Sequence, residues 1–283
     1  EEDRLKHVDM TNCNAGPVFL TYPARASINA MVDQITKNAP EVDFTSEDGI
    51  QHVLWVVKDA EWGKKVTAEF AQIPALYVAD GHHRTQAAAR VAKVRAEKNP
   101  KHTGNEEYNF FMSVIFPHNH LLIMDYNRAV HDLNGLSEAE FLKKVGEKFT
   151  VEKQEYKKPT AANTFGMYLK GTWYKLTAKP GSFDAKDPVK SLDVSIMQDN
   201  LLNPILGIGD PRTDKRIDFI GGIRGVKELE RIVDNGKFVV AFAMFPTSIE
   251  QLMKIADSGE VMPPKSTWFE PKLRSGMVIH TLD

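Results

Sequence analysis

A single cysteine, Cys13, stands in a chain of 283 residues. That excludes an intramolecular disulfide and any zinc site built from several thiolates, and it suits a reducing compartment. An excess of charge of one sign is also missing: 36 Lys and Arg face 38 Asp and Glu, for a formal net charge of −2. Such a balance gives no electrostatic footprint for wholesale binding of nucleic acid or a membrane surface. No apolar run approaches the roughly 20 residues of a spanning helix. Internal repeats, heptads and low-complexity tracts are absent as well. The expectation is a cytoplasmic protein of one large or two small domains, with no nucleic-acid and no membrane partner. The chain also lacks an initial Met; it opens on Glu1-Glu2-Asp3-Arg4 with no evident element, which reads as the interior of a longer protein.

What is present alternates strand-like and helix-like stretches through the first hundred residues, arguing for an α/β or mixed α+β architecture. Val18 to Tyr22 reads as a strand after the Gly16-Pro17 turn, and Ser27 to Lys37 as a helix capped by Ser27. Pro40 to Gly49 reads as a polar loop and Gln51 to Val57 as a buried strand. Asn109 to Phe116 and His120 to Met124 read as a hairpin. Ser137-Glu-Ala-Glu140 is a capping-box signature, and Phe165–Leu169 with Trp173–Thr177 form a hairpin turning at Lys170-Gly171. Phe238 to Phe245 is nearly continuous apolar sequence and is expected to be central in its sheet. The implied division is 1–135, carrying the first candidate site; 136–190, a peripheral α+β insertion or subdomain; and 191–283, the C-terminal half of the core.

The densest chemistry lies in Ala75-Leu-Tyr-Val-Ala-Asp80-Gly81-His82-His83-Arg84-Thr85-Gln86, followed by an Ala-rich run. A short apolar strand ends in a carboxylate, and a glycine opens a helix. Free N–H groups and the positive end of a helix dipole hold phosphate in such turns, and Gly lets the backbone approach. Three chemistries fit. In the first, Arg84 and the helix N–H groups hold phosphates, while Asp80 binds magnesium or takes the acceptor's proton. In the second, Asp80, His82 and His83 bind a transition metal, although adjacent histidines rarely converge on one ion. In the third, the residues only cap the helix.

Three other segments concentrate polar groups. Pro263-Pro264-Lys265-Ser266-Thr267 places an ammonium and two hydroxyls on a proline-stiffened loop, without the spacing of a P-loop. It is an anion clamp or a solvated connection. The Gly209-to-Gly222 loop, with Asp210, Arg212, Asp214 and Arg216, either closes over a ligand or forms an internal salt-bridge turn. Asp125-Tyr126-Asn127-Arg128 is a polar cluster at a strand end with the same two alternatives.

Ala79-Asp-Gly-His-His-Arg84 resembles the signature of the domain-of-unknown-function 1015 family, which has a ParB/sulfiredoxin-like fold. Gly16-Pro17-Val18-Phe19 with Tyr22, Asp125 to Arg128, Arg216-Ile-Asp-Phe219 with Gly221-Gly222, and Met262 to Thr267 resemble further blocks of that family. The resemblance covers essentially the whole chain. It implies a ParB/sulfiredoxin-like core with a mixed sheet and a small α+β insertion, and a kinship with free-serine kinases that use ADP or ATP with Mg2+. On that resemblance Asp80, His82, His83 and Arg84 are catalytic, and Gly81, His83, Arg84, Thr85 and Lys265 bind phosphate or nucleotide. Ser266, Thr267 and Arg216 bind a small hydroxylated substrate, L-serine being the family-implied candidate, and Asp80 holds Mg2+. Two features depart from the kinases: their glutamate base would lie upstream of residue 1, and Trp268-Phe269 stands where a more polar pair is expected. Sulfiredoxin chemistry requires a cysteine where this chain has His82. A ParB-type DNA-loading switch requires a helix-turn-helix domain that nothing here resembles. The alternative to an enzyme is a ParB-like nucleotide-binding regulator without rapid turnover.

Overall fold

The computed structural model describes residues 2–270 and 273–283; the opening Glu1, and Pro271 and Lys272 of the C-terminal stretch, lie outside the described residues. The chain is a mixed α+β protein that divides into two compact units, Glu1–Leu121 with Lys272–Asp283, and Leu122–Pro271.

The first unit opens on α1 (Glu2–Thr11), β1 (Cys13–Asn14), β2 (Val18–Tyr22) and α2 (Ala26–Ile35). It continues through β3 (Val42–Thr45), β4 (Gln51–Leu54), α3 (Ala60–Phe70), β5 (Tyr77–Asp80), α4 (His82–Lys98) and β6 (Ser113–Pro117). Its centre is β2, buried at all five positions. This strand pairs antiparallel with β5 and parallel with β6, so that Phe19 lies opposite Asp80 at the strand end that leads into α4. Helix α4 carries its buried face on Ala87, Ala88 and Val91, small residues that allow close approach. It is tied to α1 by Arg95, which donates to Asp9 Oδ1 at 2.9 Å and Asn12 Oδ1 at 2.6 Å.

Three expectations change here. Gln51 to Val57 is not a buried strand: β4 ends at Leu54 and pairs only with β3, which forms within the stretch expected to be a polar loop. A two-stranded ribbon has no second sheet neighbour to bury it. The helix cap is Arg25 rather than Ser27, whose hydroxyl donates to Glu69 Oε2 at 2.5 Å instead. The stretch from Asn109 to Met124 is not a hairpin, because β6 pairs with β2 while Leu122–Met124 belongs to the second unit. Apolar runs identify strands but carry no record of their partners.

The second unit contains β7 (Leu122–Met124), β8 (Tyr126–Val130), α5 (Glu138–Lys148), β9 (Phe149–Lys153), β10 (Thr164–Leu169) and β11 (Thr172–Ala178). After α6 (Asp193–Met197) and a π-helical turn (Gln198–Leu202) come β12 (Ile217–Gly221), α7 (Val226–Asp234), β13 (Val240–Ala243), α8 (Ile249–Asp257) and β14 (Trp268–Glu270). The last strand of the chain, β15 (His280–Thr281), returns to the first unit and pairs with β1. Six strands form one antiparallel sheet in the order β12-β8-β13-β10-β11-β9. Phe165, Met167 and Leu169 of β10 and Val240 and Phe242 of β13 pack with Phe141 and Val145 of α5 and with Ile196 and Met197 of α6. The intervening Tyr168, Ala241 and Ala243 pack with Leu229, Ile232 and Val233 of α7. Strand alternation therefore feeds two cores, one on each face.

As expected, β13 is interior, the capping box at Ser137 and Glu140 is present, and β10 and β11 turn at Lys170 and Gly171, both at positive φ. The segment 136–190 is not peripheral: it supplies α5 and three strands of this sheet, with β10 hydrogen-bonded on both sides.

Asp193, at the start of α6, is 8 % exposed. Its Oδ1 accepts from Asn163 N–H at 2.8 Å, while Oδ2 is buried without a hydrogen-bond partner among the described residues. Burial pushes this carboxyl up to about 7, against the lowering effect of the Asn163 N–H. The native state therefore keeps its proton to higher pH than the unfolded chain does. Stability from this group is complete below the ordinary value of 3.8 and is lost as pH rises toward 7. The loss between about pH 5 and about pH 8 is expected to be about 2–3 kcal/mol, with Asp193→Asn removing most of it. Urea midpoints for both proteins at about pH 5 and about pH 8 check this; parallel pH profiles would refute it.

Candidate functional site

In the first unit, β5 delivers Asp80 to the end of its strand, and Gly81 turns the chain into α4. Gly81 has φ +94, left-handed backbone that a Cβ would strain, and it is the N-cap of a helix that no side chain caps. Its N–H donates to Asp80 Oδ1 at 2.9 Å. Thr85 turns inward, with its N–H and its hydroxyl both donating to Gly81 O, at 2.9 and 3.2 Å. His82 and His83 are exposed on the first turn.

Arg84 folds back over this turn. A Cβ on Gly81 would lie 3.0 Å from both Nε and a terminal nitrogen of its guanidinium, so the glycine is what admits the arginine. A terminal nitrogen stands 3.9 Å from Asp80 Oδ2, a distant ion pair between half-exposed groups. The Arg84 Nε is buried with no hydrogen-bond partner among the described residues. Sequence reasoning did not include Ser275: a Cβ on Gly16 would meet its Oγ at 3.2 Å and Arg84 Cδ at 3.6 Å. Gly276 N–H donates to Ala15 O at 3.2 Å, which seats the C-terminal segment beside the Gly16 turn. Gly16-Pro17 marks that turn in the sequence; nothing near Ser275 marks its partner.

A carboxylate, a guanidinium with an unused buried N–H and an uncapped helix start thus share one turn. Of these, the guanidinium and the helix start are groups that attract an oxyanion. Among the described residues no group of three or more His, Cys, Asp or Glu is placed to hold a metal ion. The transition-metal alternative for Asp80, His82 and His83 therefore loses its donor set. One carboxylate does fit Mg2+, whose remaining ligands are commonly water and phosphate oxygens carried in by a nucleotide.

In the second unit, the Pro263–Thr267 loop holds Lys265 at φ 59 and exposes its side chain. The Lys265 ammonium lies 5.8 Å from the Tyr126 ring centre and 5.7 Å from that of Phe219. Ser266 is buried, its hydroxyl donating to Pro263 O at 2.6 Å, and Thr247 donates to its carbonyl at 3.0 Å. Its hydroxyl is thus committed to shaping the loop, whereas Thr267 is half-buried. Arg216 is likewise engaged internally. It donates to Leu206 O at 3.0 Å, Gly207 O at 2.9 Å and both oxygens of Asp214, and stands 3.5 Å from Asp132. That is the internal salt-bridge alternative for this part of the loop.

Asp125 to Arg128 knits the region together. Asn127 donates to Asp125 Oδ2 at 2.5 Å and accepts from Met244 N–H at 2.8 Å. Arg128 is buried and donates to the carbonyls of Tyr126 and Lys265, so it props the backbone of the lysine loop. In the sequence it belongs to the polar cluster Asp125 to Arg128. The signal was an arginine inside the short strand β8, next to the apolar pair Ala129–Val130.

Among the described residues no helix is long and apolar enough to cross a membrane. The sequence matches no curated protein. Among solved structures, a conserved hypothetical protein from Pyrococcus furiosus is similar at 13 % identity and TM-score 0.42, over 99 % of this chain and 87 % of that one. A free serine kinase in complex with AMP is similar at 14 % and 0.45, over 99 % and 83 %. SbnI with a C-terminal truncation, from Staphylococcus aureus, is similar at 11 % and 0.42, over 97 % and 77 %. Likenesses this distant decide nothing about chemistry. The family model described as a protein of unknown function (DUF1015) matches residues 1–195, well over half of the sequence, and the chain belongs to that family.

Proposed function

We propose that the first unit carries a ParB/sulfiredoxin-like nucleotide site and that the protein transfers a phosphoryl group from ADP or ATP to a small hydroxylated acceptor, L-serine being the family-implied candidate. The observation that carries this reading is the turn at Gly81, where an uncapped helix start meets a guanidinium whose buried Nε has no partner among the described residues. Phosphoryl transfer asks little covalent chemistry of a protein; it asks for positioning and for neutralisation of charge.

In this reading Gly81 and the first N–H groups of α4 approach the phosphate oxygens, and Arg84 binds them as a fork. His82 and His83 flank the anion from the first turn, and Thr85 keeps that turn closed. Asp80 holds Mg2+ or accepts the acceptor's hydroxyl proton. When bound, the cation screens the phosphate charge and orients the transferring group. Lys265 is assigned to phosphate and Thr267 to substrate from the resemblance alone. Ser266 and Arg216 act there by shaping their loops.

The test incubates the protein with Mg2+, ADP or ATP and a pool of hydroxylated amino acids, following phosphoamino acids by mass spectrometry. Phosphoserine is expected from the wild type, reduced about a hundredfold or more in Asp80→Asn, as for loss of an acid–base or metal-holding group. Thermal stabilisation by nucleotide without any product would favour the regulatory alternative. No shift in melting temperature with any nucleotide would remove both.

A further inference from the structure

A cavity of about 290 Å³ opens inside the second unit, and Arg128 lines it. Its walls include Val194, Leu202 and Phe219, while the Gly209-to-Arg212 loop and Pro263 complete its boundary. The volume is near the lower end for small-molecule pockets, and mostly apolar walls with a few charged groups, here Arg128, Asp210 and Arg212, are typical of them.

We propose that this cavity is a binding site for a small monocarboxylate with a compact apolar body, held through Arg128. Arg128 is 3 % exposed, and the contacts its guanidinium makes among the described residues are to two carbonyls and the Phe219 ring, with no carboxylate. Of its five N–H donors, two are used, by the carbonyls of Tyr126 and Lys265. The remaining donors form part of a fork that matches a carboxylate in plane. Buried charges are ordinarily paired, and this one lacks its anion. Burial works against the charge, pulling the guanidinium down to about 10, and a bound carboxylate relieves that cost.

The same residues argue against a more highly charged ligand. Phe219 stacks near Arg128, 5.4 Å from ring centre to guanidinium carbon, and narrows the polar part of the cavity. At the rim Arg212 donates to Asp210 at 2.8 Å, so that cation is already neutralised. An anion of charge one with an apolar remainder satisfies the arginine and the walls together. The inference does not use the Gly81 turn, none of whose residues lines this cavity, although Pro263 belongs to the loop that carries Lys265 and Thr267.

The probes are acetate, 3-methylbutanoate, 3-methyl-2-oxobutanoate and benzoate at millimolar concentration, each with its neutral amide, and inorganic phosphate. Binding to the full chain is followed by calorimetry and by melting temperature. At least one of the three carboxylates larger than acetate is expected to bind saturably, and about tenfold or more tighter than its amide. Arg128→Gln is expected to weaken that binding about tenfold or more. Because Arg128 also supports the lysine loop, a second variant, Gly209→Leu, tests the cavity itself. Gly209 lines the cavity and a Cβ there meets nothing within 4 Å, so the substitution starts from open space at the rim. It should weaken carboxylate binding with the fold intact, and Arg84→Ala should leave carboxylate binding unchanged. The proposal is overturned if no carboxylate binds, if amides bind equally, if phosphate alone binds, or if Gly209→Leu leaves the affinity as it was.

Discussion

Gly166→Ala is expected to lower the stability of the protein by about 3 kcal/mol, the upper part of the range for overpacked interiors. Gly166 lies in β10, the interior strand that carries both cores. A Cβ there would stand 2.3 Å from the carbonyl oxygen of Tyr156, 3.1 Å from the Trp173 ring and 3.2 Å from the Ala243 Cβ. The first contact is with backbone, so no rotamer change relieves it. The Tyr156 segment must move, and it is pinned by the Tyr156 hydroxyl, which accepts from Thr160 N–H at 2.9 Å and lies 3.1 Å from the Thr164 hydroxyl. A melting temperature lower by about 6–12 °C is the corresponding readout for a unit of this size. Gly146→Ala is the internal control. It lies within α5, a Cβ there meets nothing within 4 Å, and the exchange should stabilise by roughly 0.5–1 kcal/mol. If both variants melt together with the wild type, the packing described around β10 is wrong.

Arg84→Ala is expected to weaken binding of ADP or ATP by about two to four orders of magnitude. The loss of two charge-assisted hydrogen bonds to phosphate, each worth ~1.5–3 kcal/mol, sets that scale. The guanidinium already lies over the Gly81 turn, so the nucleotide needs no large rearrangement to meet it. Arg84→Lys should recover only part of the affinity, because an ammonium keeps the charge and loses the fork. The wild-type affinity should also fall with added salt more steeply than that of Arg84→Ala, since the variant has one fewer charge to screen. Calorimetric titration at two salt concentrations reads both effects. Equal affinity of wild type and Arg84→Ala would sink the assignment of phosphate to this turn, even if the protein bound nucleotide elsewhere.

Removing Arg84 is also expected to cost the native fold little, which makes the binding measurement clean. Its partner Asp80 is 3.9 Å away and both groups are half-exposed, so the pair contributes at most ~1 kcal/mol. Arg128 is the opposite case. Its guanidinium is enclosed and supports two carbonyls, so its substitution disturbs backbone as well as any ligand.

Local chemistry was legible in the sequence. The Gly81 turn, the capping box at Ser137, the Lys170-Gly171 turn and the interior position of β13 all follow from short-range rules about φ, helix ends and apolar content. What each strand pairs with was not legible. β4 carries Val53 and Leu54 and looks buried, yet it has only β3 beside it; β6 and β7 follow one another and belong to different sheets. Pairing depends on contacts between residues far apart in the chain, which side-chain periodicity does not encode. Site residues divide in the same way. Asp80, Gly81 and Arg84 are neighbours in sequence and meet through one turn, so their grouping was determined before any fold. The commitment of Ser266 and Arg216 to their own loops, the approach of Ser275 to Gly16, and the enclosure of Arg128 beside an open cavity were decided only by tertiary structure. A polar side chain carries the same donors wherever it lies, and only packing decides whether the backbone uses them or leaves them for a ligand.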